Sequence, residues 1–70
     1  MSLTIIEQSN RADRIKSKLP IGAWYVWPEE NLDGLWEVNE NNARETWVAK
    51  FVRRKDAKLV VKLYNERMGP

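Results

Sequence analysis

Hydrophobic and polar positions follow two different periods along this chain, and the change of period predicts its elements. Between residues 47 and 52, Trp47, Ala49 and Phe51 alternate with a second set of side chains, which is the period of a strand with two different faces. After a basic run, apolar residues recur at the spacing of one helical stripe, formed by Ala57, Val60, Val61, Tyr64 and Met68. The pattern predicts a strand that leads directly into a C-terminal helix.

The ends of this C-terminal helix carry residues that suit them. Asp56 falls in the first turn and Arg67 in the last, so each charge is opposite in sign to the helix dipole at its end. Gly69 and Pro70 follow directly, and they predict where the helix stops.

An N-terminal helix is predicted from Thr4 to Leu19. Thr4 and Glu7 have the spacing of a capping box, in which each side chain bonds the backbone N–H of the other. Pro20 closes the segment. Its apolar positions keep helical spacing and are Ile5, Ala12, Ile15 and Leu19.

An alternative start for this helix is Asn10, with Asp13 at the third helical position. Residues 3–6 would then form a short strand.

Two further strands are predicted between the helices. Residues 23–27 are rich in aromatic and β-branched side chains, and residues 35–38 alternate between apolar and polar. The turn between them covers residues 28–34, with Asp33-Gly34 as its most specific signal. Residues 39–45 are polar and predict a second turn into the last strand.

Three successive strands with short connections are expected to pair as an antiparallel meander. The sequence therefore predicts an α+β protein with one domain, residues 1–70, in the order αβββα. Its three-stranded antiparallel sheet should carry two helices packed on one face. A chain this short buries only about 60% of its unfolded surface, so the core is small and large side chains such as the four tryptophans must contribute heavily to it.

The aromatic residues of the first strand do not all belong to one face. If Trp24 and Val26 point to the helices, Tyr25 and Trp27 point away from them. One interpretation is that a very small protein uses every apolar residue in its core. The other is that Tyr25, Trp27 and their cross-strand neighbours form an exposed apolar patch, and thus an interface.

The composition leaves few means of catalysis. There is no His and no Cys, which removes the usual general base, the thiol nucleophile and most transition-metal ligands. No pair of carboxylates has a spacing that forces both into one cleft. We therefore expect no enzyme activity, no catalytic residues, no metal site and no cofactor.

One calcium-like pattern has to be weighed against this expectation. Glu29, Asn31, Asp33, Gly34 and Glu40 reproduce the spacing of a calcium-binding loop. Calcium binding would require the strand of residues 35–38 to leave the sheet, so an acidic hairpin is the favoured interpretation.

No apolar run approaches the roughly 20 residues of a membrane span, and the N-terminal residues do not show a signal peptide. We expect a soluble, cytoplasmic protein that makes no membrane contact.

Charge is segregated along the chain although the net charge is only +2. Residues 1–20 carry a net charge of +2, residues 21–46 of −5 and residues 47–70 of +5. A bipolar domain of this kind can steer a charged partner or pair its own halves in a dimer. The basic side chains that could neutralise phosphates on a nucleic acid are Lys50, Arg53, Arg54, Lys55, Lys58 and Lys62.

The element order, the length and the run from Arg54 to Lys58 resemble the double-stranded-RNA-binding domain. This resemblance implies a basic helix start that contacts phosphates. The chain departs from the family in the loop between its first strands, which is acidic and has no Gly-Pro-x-His type sequence.

Residues 47–52, residues 56–61 and Asn65 are similar to a pattern of small phage and prophage proteins, in which a strand of the type V-A-x-F runs into a helix of the type D-A-x-L-I/V. The resemblance implies an accessory protein, made in the cytoplasm of an infected bacterium, that docks on a host enzyme or defence complex and blocks it.

The sequence thus favours a non-enzymatic phage-type inhibitor that occludes a site on a bacterial host protein. The expected partner-binding residues are three apolar anchors and three rim charges, namely Tyr25, Trp27, Trp36, Lys55, Lys58 and Lys62. A nucleic-acid-binding module that uses the basic helix face is the alternative function, and a self-associating homodimer is the third.

Overall fold

The computed structural model describes residues 3–44 and 46–68 and confirms the αβββα architecture. Its elements are α1 (Ile5–Ser17), β1 (Trp24–Val26), β2 (Trp36–Glu40), β3 (Trp47–Phe51) and α2 (Arg54–Met68). The predicted helix stop at Gly69-Pro70 lies outside the described residues. Neither described helix combines the length and the apolar content that a membrane crossing requires.

The predicted capping box is present at the start of α1. The Thr4 side chain accepts a hydrogen bond from the Glu7 backbone N–H, and the Glu7 carboxylate accepts one from Thr4 N–H. The helix therefore begins before Asn10, and the alternative start is wrong. One position of the predicted apolar stripe was wrong, because Ile5 in the first turn of α1 is 80% exposed.

The three strands form one antiparallel sheet in the order β1-β2-β3. Strand β2 runs two residues further than predicted, because Asn39 and Glu40 pair with Tyr25 and Trp24 of β1. Pairing on both sides of a central strand outweighs the turn preference of these polar residues. A bulge at Val38/Asn39 interrupts the register between β2 and β3.

Helix α2 covers the sheet and contacts all three strands. Its predicted stripe is confirmed at four positions, since Ala57 is buried and Val60, Val61 and Tyr64 are half-buried. Met68, the fifth, is 46% exposed in the last turn. Among the described residues, α1 makes only sparse contact with the other elements, so α2 and the sheet form the main packed unit.

The segment with calcium-like spacing forms the predicted hairpin connection between β1 and β2. The Asn31 side-chain oxygen accepts hydrogen bonds from the backbone N–H groups of Asp33 (2.8 Å) and Leu35 (3.0 Å). Gly34 takes the left-handed conformation, with φ of 76°, that the turn requires. The Asn31 side chain thus shapes the loop by accepting hydrogen bonds from the loop backbone, and Glu40 lies in β2.

Candidate binding groove

Helix α1, strand β1 and helix α2 enclose a groove of about 710 Å³. We call it the α1–α2 groove. Its floor is mainly apolar and includes Ile15, Leu19, Trp24, Val26, Pro28 and Val61. Its rim is cationic, with two residues from α1 and three from α2, namely Arg11, Arg14, Arg54, Lys58 and Lys62.

Helical geometry places the three cations of α2 in one row. Arg54, Lys58 and Lys62 are spaced four residues apart, so they succeed one another on one face of α2 at about 6 Å per step. Arg11 and Arg14 are three residues apart on α1 and line the same groove. Both helices thus supply positive charge to the groove.

Among the residues that the structure describes, no carboxylate lines the α1–α2 groove. Among residues 3–44 and 46–68, none forms a salt bridge with Arg11, Arg14, Lys58 or Lys62. Like charges gathered around an apolar cleft create a field that attracts anionic groups. The groove can therefore hold a ligand that is negatively charged at its edges and apolar at its centre.

The aromatic rings of the floor are largely engaged within the protein. Trp24 stacks on Tyr64 of α2, with ring centroids 3.6 Å apart and planes inclined by 9°. The indole N–H of Trp27 donates to the Gln8 side-chain oxygen of α1 at 2.8 Å. These contacts join β1 to both helices and hold the floor in shape.

The predicted partner-binding residues do not form one surface. Lys58 and Lys62 lie on the groove rim, and the half-buried Trp27 contributes to the floor. Tyr25 also borders the groove but is only 2% exposed, so its ring has little area to offer a partner. Lys55 is exposed outside the groove lining.

Trp36, the third predicted anchor, also lies outside the groove lining. It is half-buried, and the guanidinium of Arg54 lies 5.3 Å from its ring centroid, a cation–π distance. Arg54 thereby belongs to both the Trp36 contact and the groove rim.

The six cations proposed for nucleic-acid binding are also divided between surfaces. Arg54, Lys58 and Lys62 line the groove, whereas Arg53 does not. Lys50 belongs to β3, where its ammonium lies 5.3 Å from the Trp47 ring centroid.

Sequence reasoning missed Arg11 and Arg14. Arg11 is next to the buried Ala12, and Arg14 is next to the half-buried Ile15. Their positions beside the inward-facing stripe of α1 were a local signal that could have indicated the groove. What the sequence could not supply was the pairing of this face of α1 with the basic row of α2.

A second cavity of about 610 Å³ adjoins the groove and shares Leu19 and Asn65 with it. Its lining is mostly apolar and includes Ile21, which is 79% exposed. The apolar surface thus continues past one end of the groove.

Within the described part of the chain, no three or more acidic side chains are grouped so that they could hold a metal ion. No protein-family model, curated protein or solved structure matches this chain. The function has to be inferred from the groove.

Proposed function

We propose that this protein is a non-enzymatic binding domain that holds an acidic, partly apolar segment of a partner protein in the α1–α2 groove. The observation that supports this most directly is the groove lining, in which five cations border an apolar floor and none of the described lining residues is a carboxylate. An amphipathic acidic segment satisfies both features at once, because its apolar side chains cover the floor while its carboxylates meet the rim.

The spacing of the rim charges supports a helical or extended peptide as the ligand. Successive cations on α2 are about 6 Å apart along the helix axis. Residues i and i+4 of a helical ligand that lies parallel to α2 have the same spacing. Exposed ion pairs contribute little individually, so affinity depends on burial of the floor, and the rim selects for acidic partners.

The proposed setting of this activity rests on the resemblance of residues 47–52 and 56–61 to the phage-type pattern. It supports the proposal that the partner is a bacterial host protein or defence complex in the cytoplasm. Occlusion is then the mode of inhibition, since the chain has neither His nor Cys to act chemically on its target.

Binding of nucleic acid is the second candidate function. The row of Arg54, Lys58 and Lys62 on α2 favours it, because such a row can follow a phosphate backbone. The engaged rings count against it, since Trp24 is stacked on Tyr64 and Trp36 lies beside Arg54. These contacts leave little free face on the Trp24 and Trp36 rings for bases, and an apolar floor gives no advantage to phosphates.

Fluorescence anisotropy with a labelled peptide of repeating Glu and Leu tests the proposed function. We expect saturable binding that weakens as salt rises, and weaker, less salt-dependent binding of the same peptide with Gln in place of Glu. The double substitution K58E/K62E should weaken binding by about tenfold or more. K55E is the matched control, because Lys55 lies on the same helix outside the groove lining.

The same titration with labelled duplex DNA, duplex RNA and single strands separates the two candidates. If the protein binds a nucleic acid tightly, loses this binding in K58E/K62E and does not bind the peptide, nucleic-acid binding replaces the proposed function. Peptide binding that responds equally to K55E and K58E/K62E would contradict the assignment to the groove. Circular dichroism of each variant checks that it is folded.

A further inference from the structure

Leu32 is the most exposed apolar side chain among the described residues, at 107% of its reference area. It lies in the loop between β1 and β2, residues 27–35, which we call the acidic loop. Its neighbours Glu30 and Asp33 are also exposed. An apolar side chain held in water between two carboxylates has the chemical character that the α1–α2 groove can accept.

The acidic loop is ordered by its own hydrogen bonds. Asn31 N–H donates to the Leu35 carbonyl at 2.9 Å, and Gly34 N–H donates to the Asn31 carbonyl at 3.0 Å. With the two bonds to the Asn31 side chain, these contacts fix the backbone on both sides of Leu32. A preformed loop loses less conformational entropy on binding than a flexible one.

We propose that the acidic loop of one copy of this chain docks in the α1–α2 groove of a second copy. Leu32 enters the apolar floor, and Glu30 and Asp33 meet the cationic rim. Charge complementarity supports a second copy as the occupant, since the acidic loop and the cationic rim are both parts of this chain.

The positions of loop and groove allow the contact to be reciprocal. Pro28 lies in the acidic loop and also lines the groove, so the two surfaces are neighbours on one side of the molecule. Two copies related by a two-fold axis can then exchange loops, which closes the assembly as a dimer.

This dimer uses the groove of the proposed function but does not depend on an external partner. Because the loop and an acidic partner segment would occupy the same floor and rim, self-association and partner binding compete. Dimer formation would therefore keep the groove covered until a tighter ligand displaces the loop.

Sedimentation equilibrium across a range of protein concentrations tests the proposal. We expect a mass that rises from 8.3 kDa towards twice that value and a weaker association at high salt. Leu32→Ser should weaken self-association by about tenfold or more, since it removes the buried leucine from both loop–groove contacts of the dimer. Ile6→Ser is the control, because Ile6 is 74% exposed on α1 and is not part of the groove lining.

A mixing experiment gives a sharper result. Leu32→Ser and K58E/K62E should each self-associate more weakly than the unchanged protein. Their mixture retains one intact loop and one intact groove, so it should associate more tightly than either variant alone. A monomer at every concentration, or a dimer unaffected by Leu32→Ser, would overturn the proposal.

Peptide binding by the Leu32→Ser variant is a separate readout. It tests the proposed function in a protein whose groove is unchanged, so either proposal can fail without the other.

Discussion

The side-chain amide of Asn65 in α2 bonds both backbone polar groups of Trp24 in β1. Its oxygen accepts from Trp24 N–H and its nitrogen donates to the Trp24 carbonyl, both at 2.9 Å. Among the described strands, β1 pairs with β2 alone, and the backbone N–H and C=O of Trp24 point to the other edge of β1. Asn65 thus occupies an edge that would otherwise be open to pairing with another strand.

Substitution of Asn65 by Asp should destabilise the protein by about 1–3 kcal/mol. The change keeps the acceptor for Trp24 N–H but replaces the donor with a carboxylate oxygen that faces the Trp24 carbonyl. Urea unfolding measures the loss, and Glu66→Gln on the exposed side of the same turn should stay within about 0.5 kcal/mol of wild type. Equal stability of both variants would show that the two hydrogen bonds between Asn65 and Trp24 contribute nothing to the free energy of unfolding.

Asn41 joins the end of α1 to the sheet. Its side-chain nitrogen lies 3.2, 3.0 and 3.2 Å from the carbonyls of Lys16, Leu19 and Pro20, and the residue is only 5% exposed. Asn41→Asp removes these donors and places a carboxylate among carbonyl oxygens. We expect a loss of about 2–3 kcal/mol in the free energy of unfolding, by urea or thermal denaturation.

Asn10→Asp is the control for this change, because it introduces the same carboxylate at an exposed position of α1. A similar small effect of both substitutions would contradict the role assigned to Asn41.

Gly22 and Gly34 allow a comparison of two left-handed positions. Their φ angles are 91° and 76°, so replacement of either by Ala should cost about 1–2 kcal/mol. At Gly22 the added Cβ would also lie 3.3 Å from the Met68 methyl group, whereas at Gly34 the nearest atom is 3.7 Å away. We expect Gly22→Ala to be the more destabilising in urea unfolding, by up to about 1 kcal/mol.

The extra cost at Gly22 should disappear in a Met68→Ala background, which removes the crowded methyl group. If the difference between the two glycine variants persists there, the backbone conformation and not Met68 explains it.

Hydrogen exchange should be faster in α1 than in α2. Helix α1 has 13 residues and sparse contacts with the rest of the protein, so it can open without unfolding of the sheet. Thr4→Ala removes the cap, and a loss of about 1 kcal/mol corresponds to about fivefold faster exchange of α1 amides. Amides of α2 serve as the internal control.

Exchange that is equally slow in both helices would mean that α1 opens only on global unfolding. Such a result would also make the α1 wall of the groove rigid.

Local sequence patterns determined most of the fold. The capping box of Thr4 and Glu7, the turn signal at Asp33-Gly34 and the helical stripe of α2 each depend on residues a few positions apart. Such features are decided by the backbone and its nearest neighbours in the chain, so the element order and the α+β class could be read from the sequence.

The site depended on contacts between distant parts of the chain. The sequence showed that Lys58 and Lys62 share a helix face, but only the structure placed them around the same groove as Arg11 and Arg14. Likewise, the polar Asn39 became part of β2 because it found partners on both sides. Residues more than 40 positions apart meet only through packing, and no local period encodes which helix face lies against which strand.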